Sequence, residues 1–174
     1  EHGSLPKTAA VSPADFETFF SKFINQGYDV VHISIGSKIS ATFQNAKIAS
    51  NMLPHDRIFI VDSQNLSSGI ALLVLKGKDY REQGLSAKDI YEKLSLMVPN
   101  VRSQFAIRTL DYLHKGGRAS GTAKLFGGIL KIKPIIQVRD GAMSVYKKPM
   151  GKMSRALDVM LDDFFTHIEH ENVD

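Results

Sequence analysis

Cysteine is absent from this 174-residue sequence, and no apolar run is long enough to cross a membrane. Without cysteine the chain has no disulfide framework, no thiolate metal site and no cysteine nucleophile. The longest apolar stretches, such as IALLVL at 70–75, fall far short of a membrane span. The amino end is polar and shows no secretory signal. These absences are typical of a soluble, cytoplasmic globular protein.

Charge of one sign is not concentrated anywhere in the chain. The formal net charge is +4, but the 22 Lys and Arg residues are interleaved with 18 Asp and Glu residues. The sequence has no dense basic helix and no basic run interleaved with aromatics. We therefore expect no nucleic-acid partner, which argues against a DNA-binding regulator. Dinucleotide and P-loop glycine patterns are missing, and no His, Asp and Glu cluster has ligand spacing. The sequence therefore predicts neither a metal nor a cofactor.

The first hundred residues alternate between short apolar strands and amphipathic helices. Ser12, Pro13 and Asp15 start a helix, with an N-cap, a proline at the first helical position and an acidic residue in the first turn. The remaining predicted elements of this part are strands at 29–36 and 57–62, and helices at 40–53, 66–84 and 86–97. This alternation predicts an α/β fold, with a parallel sheet covered by helices on both faces.

The pattern changes after Val101. The alternating stretch 133–148 predicts an antiparallel hairpin that turns at Asp140 and Gly141. The other predicted elements are a strand at 104–109 and helices at 110–117, 123–131 and 151–170. We therefore predict an α/β lobe over 1–128 that carries the ligand site, followed over 129–174 by part of a second α+β lobe.

The stretch VVHISIGSKISATFQNA at 30–46 joins an apolar strand to a helix through many hydroxyls and little bulk. In open parallel sheets, ligands bind beyond the carboxyl ends of the strands, where helix amino-termini favour anions. Ser37, Ser40 and Thr42 add hydroxyl donors, and Ala41 leaves the approach open. A Ser40 that only caps the helix would account for one hydroxyl but not for three. We therefore predict that this turn binds a carboxylate or a phosphate.

The enzymatic alternative is a hydrolase or transferase for small molecules with Ser37 or Ser40 as its nucleophile. A strand–turn–helix context is typical of a nucleophile elbow, but the G-x-S-x-G pattern is missing because Gly36 and Ser37 are adjacent. A hydrolase also needs a histidine and an acid, and no histidine in this sequence has a recognisable setting. Labelling by a serine-reactive probe would favour this alternative.

A second glycine-rich stretch, HKGGRASGTAK, lies at 114–124. Gly116 and Gly117 can adopt positive φ, so that consecutive N–H groups could form an anion nest beside the planar fork of Arg118. The alternative is a helix C-cap followed by a solvated arginine. The small residues that follow, and an apolar helix at 123–131 that could line a cavity, favour ligand binding.

These stretches together resemble the DegV family, bacterial lipid-binding proteins that include the fatty-acid-carrying subunit of bacterial fatty acid kinase. The family's opening T-S-Q-P-S-P motif corresponds to TAAVSP at 8–13, and its S-S-x-L-S-G-T-Y-Q-S-A turn to GSKISATFQNA at 36–46. The remaining matches are VDS at 61–63, LDYLHKGGRAS at 110–120, KIKPII at 131–136 and DG at 140–141. Their order and spacing agree along nearly the whole chain.

The resemblance implies two lobes with a long-chain fatty acid, such as palmitate or oleate, held between them. It implies that Thr8 and Ser40 bind the carboxylate, with Ser37, Ala41 and Arg118 as supporting head-group residues. The catalytic subunit of a fatty acid kinase would phosphorylate the bound carboxyl group to an acyl-phosphate, for incorporation into phospholipid. The chain would then be a lipid carrier, not an enzyme, with at most transient contact with a membrane surface.

The sequence departs from the family pattern in both motifs. Ala9, Ala10 and Val11 replace Ser, Gln and Pro, and Gly36 and Ala41 replace Ser and Gly, which predicts a thinner head-group network. Family chains also extend further at both ends, with an opening β-α segment that carries a T-D-S motif and a longer second lobe. We therefore expect a DegV-like, two-lobed architecture that is truncated at both ends.

Overall fold

The computed structural model describes residues 7–53, 56–118 and 132–167. The chain divides into two compact units, residues 1–101 and 102–174. The first unit contains α1 (Pro13–Ile24), β1 (Val30–Ser34), α2 (Thr42–Met52), β2 (Ile58–Asp62), α3 (Ser68–Glu82) and α4 (Ala87–Met97). The second contains β3 (Ser103–Ala106), α5 (Asp111–Lys115), β4 (Ile135–Arg139), β5 (Ala142–Lys147) and α6 (Met153–His167).

The sheet of the first unit is a parallel pair, with Val30 of β1 opposite Ile58 of β2, and Ser34 opposite Asp62. Successive side chains of a strand point to opposite faces, so each strand supplies two apolar surfaces. One face packs against buried residues of α1 and α2, namely Phe16, Phe20, Ala46 and Ala49. The other face packs against α3, α4 and the turn after α4, through Leu73, Ile90, Leu94 and Val98. Helices on both faces of a parallel sheet confirm the prediction.

One polar side chain, His32 of β1, lies on the face that α1 covers. Its imidazole packs edge-on against Phe16 and Phe20, with ring centroids 5.2 Å and 5.7 Å away. Burial lowers the pKa of His32 below its usual value, because the charged form is poorly solvated there. His32 is therefore a neutral part of the apolar layer.

Several predicted elements are present with shifted ends. The helix predicted at 40–53 begins at Thr42, because residues 36–40 form a tight turn that is closed by hydrogen bonds to the Gly36 carbonyl. The helix predicted at 66–84 begins at Ser68, since Ser67 has a φ of 45° and cannot belong to a right-handed helix. The helix predicted at 123–131 lies outside the described residues.

The second unit contains an antiparallel sheet in the order β3-β4-β5. The turn between β4 and β5 has positive φ at both central residues, 51° at Asp140 and 76° at Gly141. Positive φ at both positions is what a two-residue type I′ hairpin requires, and the hairpin prediction is confirmed. β3 pairs with β4, with Ser103 opposite Val138. The predicted lobe boundary between 128 and 129 stays a prediction, since residues 119–131 are not described.

A carboxylate on α6, that of Asp163, ties this helix to the sheet of the second unit. It accepts hydrogen bonds from Lys147 Nζ and Tyr146 Oη at 2.7 Å each, and from Gln104 Nε2 at 3.0 Å. Burial alone would raise the pKa of Asp163, but these three donors outweigh it and hold the pKa at about 2. The charged form is therefore the one that the fold stabilises.

Asp163→Asn is expected to lower the free energy of unfolding at pH 7 by about 1–2 kcal/mol, because it removes the charged acceptor of three hydrogen bonds. Since the pKa is depressed from 3.8, the wild-type advantage is fully present above that pH and lost as the pH falls through about 2. Urea unfolding followed by circular dichroism at pH 7 and near pH 2 measures both values. Asp162→Asn removes the same charge from an exposed neighbouring position and is the matched control. Equal stability of the two variants at pH 7 would contradict the prediction.

Candidate functional site

The turn that follows β1 is fixed by the end of β2. Ser37 donates its backbone N–H to Asp62 Oδ1 at 3.0 Å, and the same oxygen accepts the N–H of Gln64 at 3.1 Å. Gly36 donates its N–H to the Asn65 carbonyl at 2.9 Å. A Cβ at Gly36 would lie 3.0 Å from backbone atoms of Gln64 and Asn65, so only glycine permits this approach. The two loops at the carboxyl edge of the sheet are therefore joined by hydrogen bonds.

Asn65, which is 2% exposed, supports these two joined loops through its own hydrogen bonds. Its Nδ2 donates to the Val101 carbonyl at 3.0 Å, and its Oδ1 accepts the Leu66 N–H at 3.0 Å. Ser63 Oγ donates to the Asn65 carbonyl and accepts the Asn65 N–H, both at 3.1 Å. Gly69 leaves the space that the Asn65 amide occupies. Asn65 and Ser63 thus form a buried, hydrogen-bonded support for the turn.

Two hydroxyls meet where the turn enters α2. Ser40 Oγ and Thr42 Oγ1 are 2.8 Å apart and share a hydrogen bond in which either can be the donor. Ser40 Oγ also accepts the Thr42 N–H at 3.2 Å, a local contact two residues along the chain, while the N-cap position of α2 is Ala41. Both side chains are half-buried. Accepting the Thr42 N–H uses a lone pair of Ser40 Oγ and leaves its hydrogen, so this contact is compatible with Ser40 as a hydroxyl donor.

Backbone N–H groups of this turn are largely used inside the protein. Ile39 and Ser40 donate to the Gly36 carbonyl at 2.8 Å and 3.2 Å, in addition to the donations from Gly36, Ser37 and Thr42. The expectation that unpaired N–H groups bind an anion here is wrong for these five groups. Unlike these five N–H groups, the hydroxyl pair of Ser40 and Thr42 still has a hydrogen to donate to a ligand.

Ser37 and Ala41, the other predicted residues of this turn, are both exposed. Ser37 is attached to Asp62 through its backbone, so its side chain is not what anchors the turn. Ala41 stands immediately before α2 and adds no polar side-chain group.

Thr8 lies in the exposed segment that precedes α1. This segment is attached to α2, because Asn45 Nδ2 donates to the Val11 carbonyl at 2.7 Å. Three residues span at most about 11 Å, so Thr8 stays within that distance of Val11. Asn45 is one helical turn beyond Thr42. The structure therefore brings Val11, three residues after Thr8, to the helix that begins at Thr42.

Arg118 lies in the second unit, directly after α5, and is exposed. Gly117 has a φ of 70°, whereas Gly116 has a right-handed φ of −79°. Gly117 donates to the His114 carbonyl and Arg118 to the Leu113 carbonyl, at 2.9 Å and 3.1 Å, which is the pattern of a Schellman C-cap. The anion nest is therefore wrong, since these N–H groups close the helix.

The arginine side chain reaches back over this cap. Its Nη1 donates to the Gly116 carbonyl at 2.6 Å. The C-cap alternative is the one that the structure supports for the glycines, while the supporting head-group role of Arg118 stays a prediction.

In the part of the chain that the structure describes, there is neither a metal-binding cluster nor a helix able to span a membrane. Residues 7–53, 56–118 and 132–167 contain no group of three His, Asp or Glu side chains placed to hold a metal ion. No helix in these ranges is both long and apolar enough to cross a bilayer.

The family is decided by a sequence-family model. The model described as an uncharacterised protein of the DegV family matches residues 1–173. This chain belongs to the DegV family. The resemblance seen in the motifs is confirmed.

Two curated proteins illustrate the relationship of this DegV chain to its relatives. A DegV domain-containing protein of Clostridium acetobutylicum is 40% identical over 162 residues, which is 93% of this chain and 58% of the relative. A fatty acid-binding protein of Thermotoga maritima is 30% identical over 165 residues, which is 93% of this chain and 57% of the relative. The chain thus spans a little over half the length of the curated relatives it matches.

Solved structures share the DegV fold at similar coverage. A DegV family protein from Thermus thermophilus, described by its fatty acid binding, matches with a TM-score of 0.83 and 27% identity over 94% of this chain and 57% of its own. The fatty acid kinase B3 protein of Streptococcus pneumoniae, loaded with linoleic acid, matches with a TM-score of 0.81 over 94% of this chain and 58% of its own. Its identity is 23%, so this second likeness concerns the fold.

One residue of the candidate site, Asp62, was given no role by the sequence interpretation, and a second, Thr42, was predicted only as a hydroxyl donor. Asp62 anchors the turn through one carboxylate oxygen, and Thr42 pairs with Ser40. Asp62 had a usable signal, because an acidic residue that ends a buried strand lies beside the loop after the neighbouring strand. Thr42 was visible as a hydroxyl, but its partner depends on the conformation of the turn.

Proposed function

We propose that this DegV chain binds a long-chain fatty acid and presents its carboxyl group to the catalytic subunit of a fatty acid kinase, which forms the acyl-phosphate. Thr8 and Ser40 hold the carboxylate in this proposal, with Ser37, Ala41 and Arg118 in support. The chain acts in the cytoplasm as a carrier and leaves the chemistry to its partner.

The observation that carries the proposal is the hydroxyl pair of Ser40 and Thr42 at the carboxyl edge of the sheet, 2.8 Å apart and half-buried. One of the two hydroxyl hydrogens lies between the oxygens, and the other is available to a ligand. A carboxylate accepts such a hydrogen strongly, because hydrogen bonds to charged groups are stronger than neutral ones. Among the described residues, both partners of the Ser40 hydroxyl belong to Thr42, which is not a base that could activate a nucleophile.

The chemistry of a fatty acid fits a site with so few polar groups. A buried methylene contributes about 0.8 kcal/mol, so ten of them supply roughly 8 kcal/mol before ordering losses. The tail therefore dominates affinity, and the head-group residues only have to satisfy the carboxylate. Uncharged hydroxyls do so without neutralising it, which leaves a carboxylate oxygen able to attack a phosphoryl group.

Native mass spectrometry of the purified protein, followed by organic extraction, tests the proposal. We expect a stoichiometric fatty acid, either carried from the expression host or taken up from palmitate or oleate. The loaded protein is then mixed with ATP and a fatty acid kinase catalytic subunit, and acyl-phosphate is trapped with hydroxylamine. A protein that stays empty with both acids would overturn the carrier function, and a loaded protein that yields no acyl-phosphate would overturn the kinase partnership.

A further inference from the structure

We propose that Thr42 is a positioning residue that turns Ser40 into an outward-facing hydrogen-bond donor. The inference rests on the proposed function and concerns how the carboxylate is recognised. It goes beyond the Thr8 and Ser40 pair, because it assigns to a third side chain the control of where the Ser40 hydrogen points.

The first step is a count of lone pairs on Ser40 Oγ. A serine hydroxyl has one hydrogen and two acceptor lone pairs. The Thr42 N–H occupies one lone pair at 3.2 Å. When Thr42 Oγ1 donates across the 2.8 Å contact, it occupies the other. Ser40 is then saturated as an acceptor, and its own hydrogen is free to donate to a ligand.

The second step compares the two arrangements of the shared hydrogen. If Ser40 donates to Thr42, the outward hydrogen belongs to Thr42 instead. An incoming carboxylate next to Ser40 favours the first arrangement, because its negative charge attracts the Ser40 hydrogen. Donation from Thr42 polarises the Ser40 hydroxyl and strengthens the bond that it makes. A ligand head without charge gains less from this arrangement.

The third step concerns what is lost without the Thr42 hydroxyl. Valine has nearly the same shape as threonine and keeps the backbone N–H, so the bond from that N–H to Ser40 Oγ remains possible. One Ser40 lone pair then loses its donor, and the Ser40 hydrogen can rotate toward other acceptors. The effect is therefore specific to a charged head group and passes through Ser40.

Binding of palmitate and of hexadecanol to Thr42→Val measures this effect, since the two ligands share a tail length and differ in the head. We expect palmitate affinity to fall by about 3- to 10-fold, the range of one hydrogen bond, with a smaller change for hexadecanol. Thr42→Ser restores palmitate binding. In a Ser40→Ala background the Thr42→Val change has little further effect on palmitate affinity.

Ser50→Ala is the matched control, because it removes a hydroxyl from the same helix that only donates to the Lys47 carbonyl. Unchanged palmitate affinity in Thr42→Val overturns the inference, and so does an equal loss for palmitate and hexadecanol, which is the result of a merely structural role. An undiminished Thr42→Val effect in the Ser40→Ala background also overturns it. Failure of the wild-type protein to bind palmitate overturns the proposed function itself, whereas the outcomes above overturn only the role of Thr42.

Discussion

Palmitate affinity is expected to fall by roughly 100-fold or more when Thr8 and Ser40 are both replaced by alanine. A hydrogen bond to a charged group contributes about 1.5–3 kcal/mol, which is a factor of about 10 to 100 for each hydroxyl. The tail contacts are unchanged, so the loss isolates recognition of the carboxylate. Ser40→Ala additionally removes the acceptor of the Thr42 N–H, so part of its effect is on the first residue of α2.

Titration with a fluorescent fatty acid and competition by palmitate measures the affinities. The matched control is Ser50→Ala combined with Ser95→Ala, two hydroxyls that donate to carbonyls of their own helices. We expect this double variant to bind as the wild type does. Full palmitate affinity in Thr8→Ala/Ser40→Ala would remove both residues from the head-group site.

Gly69→Ala is expected to lower the free energy of unfolding by about 2–4 kcal/mol, which is large for the addition of a single methyl group. The new Cβ would overlap Asn65 Oδ1 and Cγ, whose amide is fully enclosed and bonded to Val101 and Leu66. The amide has to move and leave those groups unsatisfied. Urea unfolding measures the loss.

A second glycine of the same helix supplies the control. A Cβ at Gly77 would meet the end of the Leu94 side chain at 3.2 Å, a contact that a small rotation relieves. Gly77→Ala is therefore expected to stay within about 1 kcal/mol of the wild type, since the gain in helix propensity offsets the contact. In an Asn65→Ala background the cost of Gly69→Ala should shrink, because the overlapping amide is gone. An undiminished cost there would show that the overlap is not the cause.

The order of helices and strands could be predicted because the signals that specify them are local. Ser12 and Pro13 start α1 through contacts within one turn, and positive φ at Asp140 and Gly141 follows from the residue types themselves. Helix ends were less accurate where a distant residue decides them. Thr42 became the first residue of α2 because the preceding turn is held by Asp62, twenty residues along the chain.

The position of the polar turn could be predicted from the sequence, but its hydrogen bonds could not. Three hydroxyls within six positions indicate a polar turn, whereas the pairing of Ser40 with Thr42 depends on backbone angles that the sequence does not specify. At Gly116 and Gly117 the same residues fit a nest or a helix cap. The cap formed because the Leu113 and His114 carbonyls of a preceding helix were within reach of the N–H groups.

The bond between Ser40 and Thr42 has a consequence for the unloaded protein. A carrier alternates between full and empty, and a head-group site built from isolated polar groups would be left unsatisfied each time its cargo departs. In the proposed site the two hydroxyls bond to each other when no ligand is present, so only one of their two hydrogens is left for the next ligand. Such a site is pre-organised, so loading loses little side-chain freedom and unloading exposes little unmet polarity. In the proposed carrier, this 2.8 Å contact favours reversible exchange of the ligand.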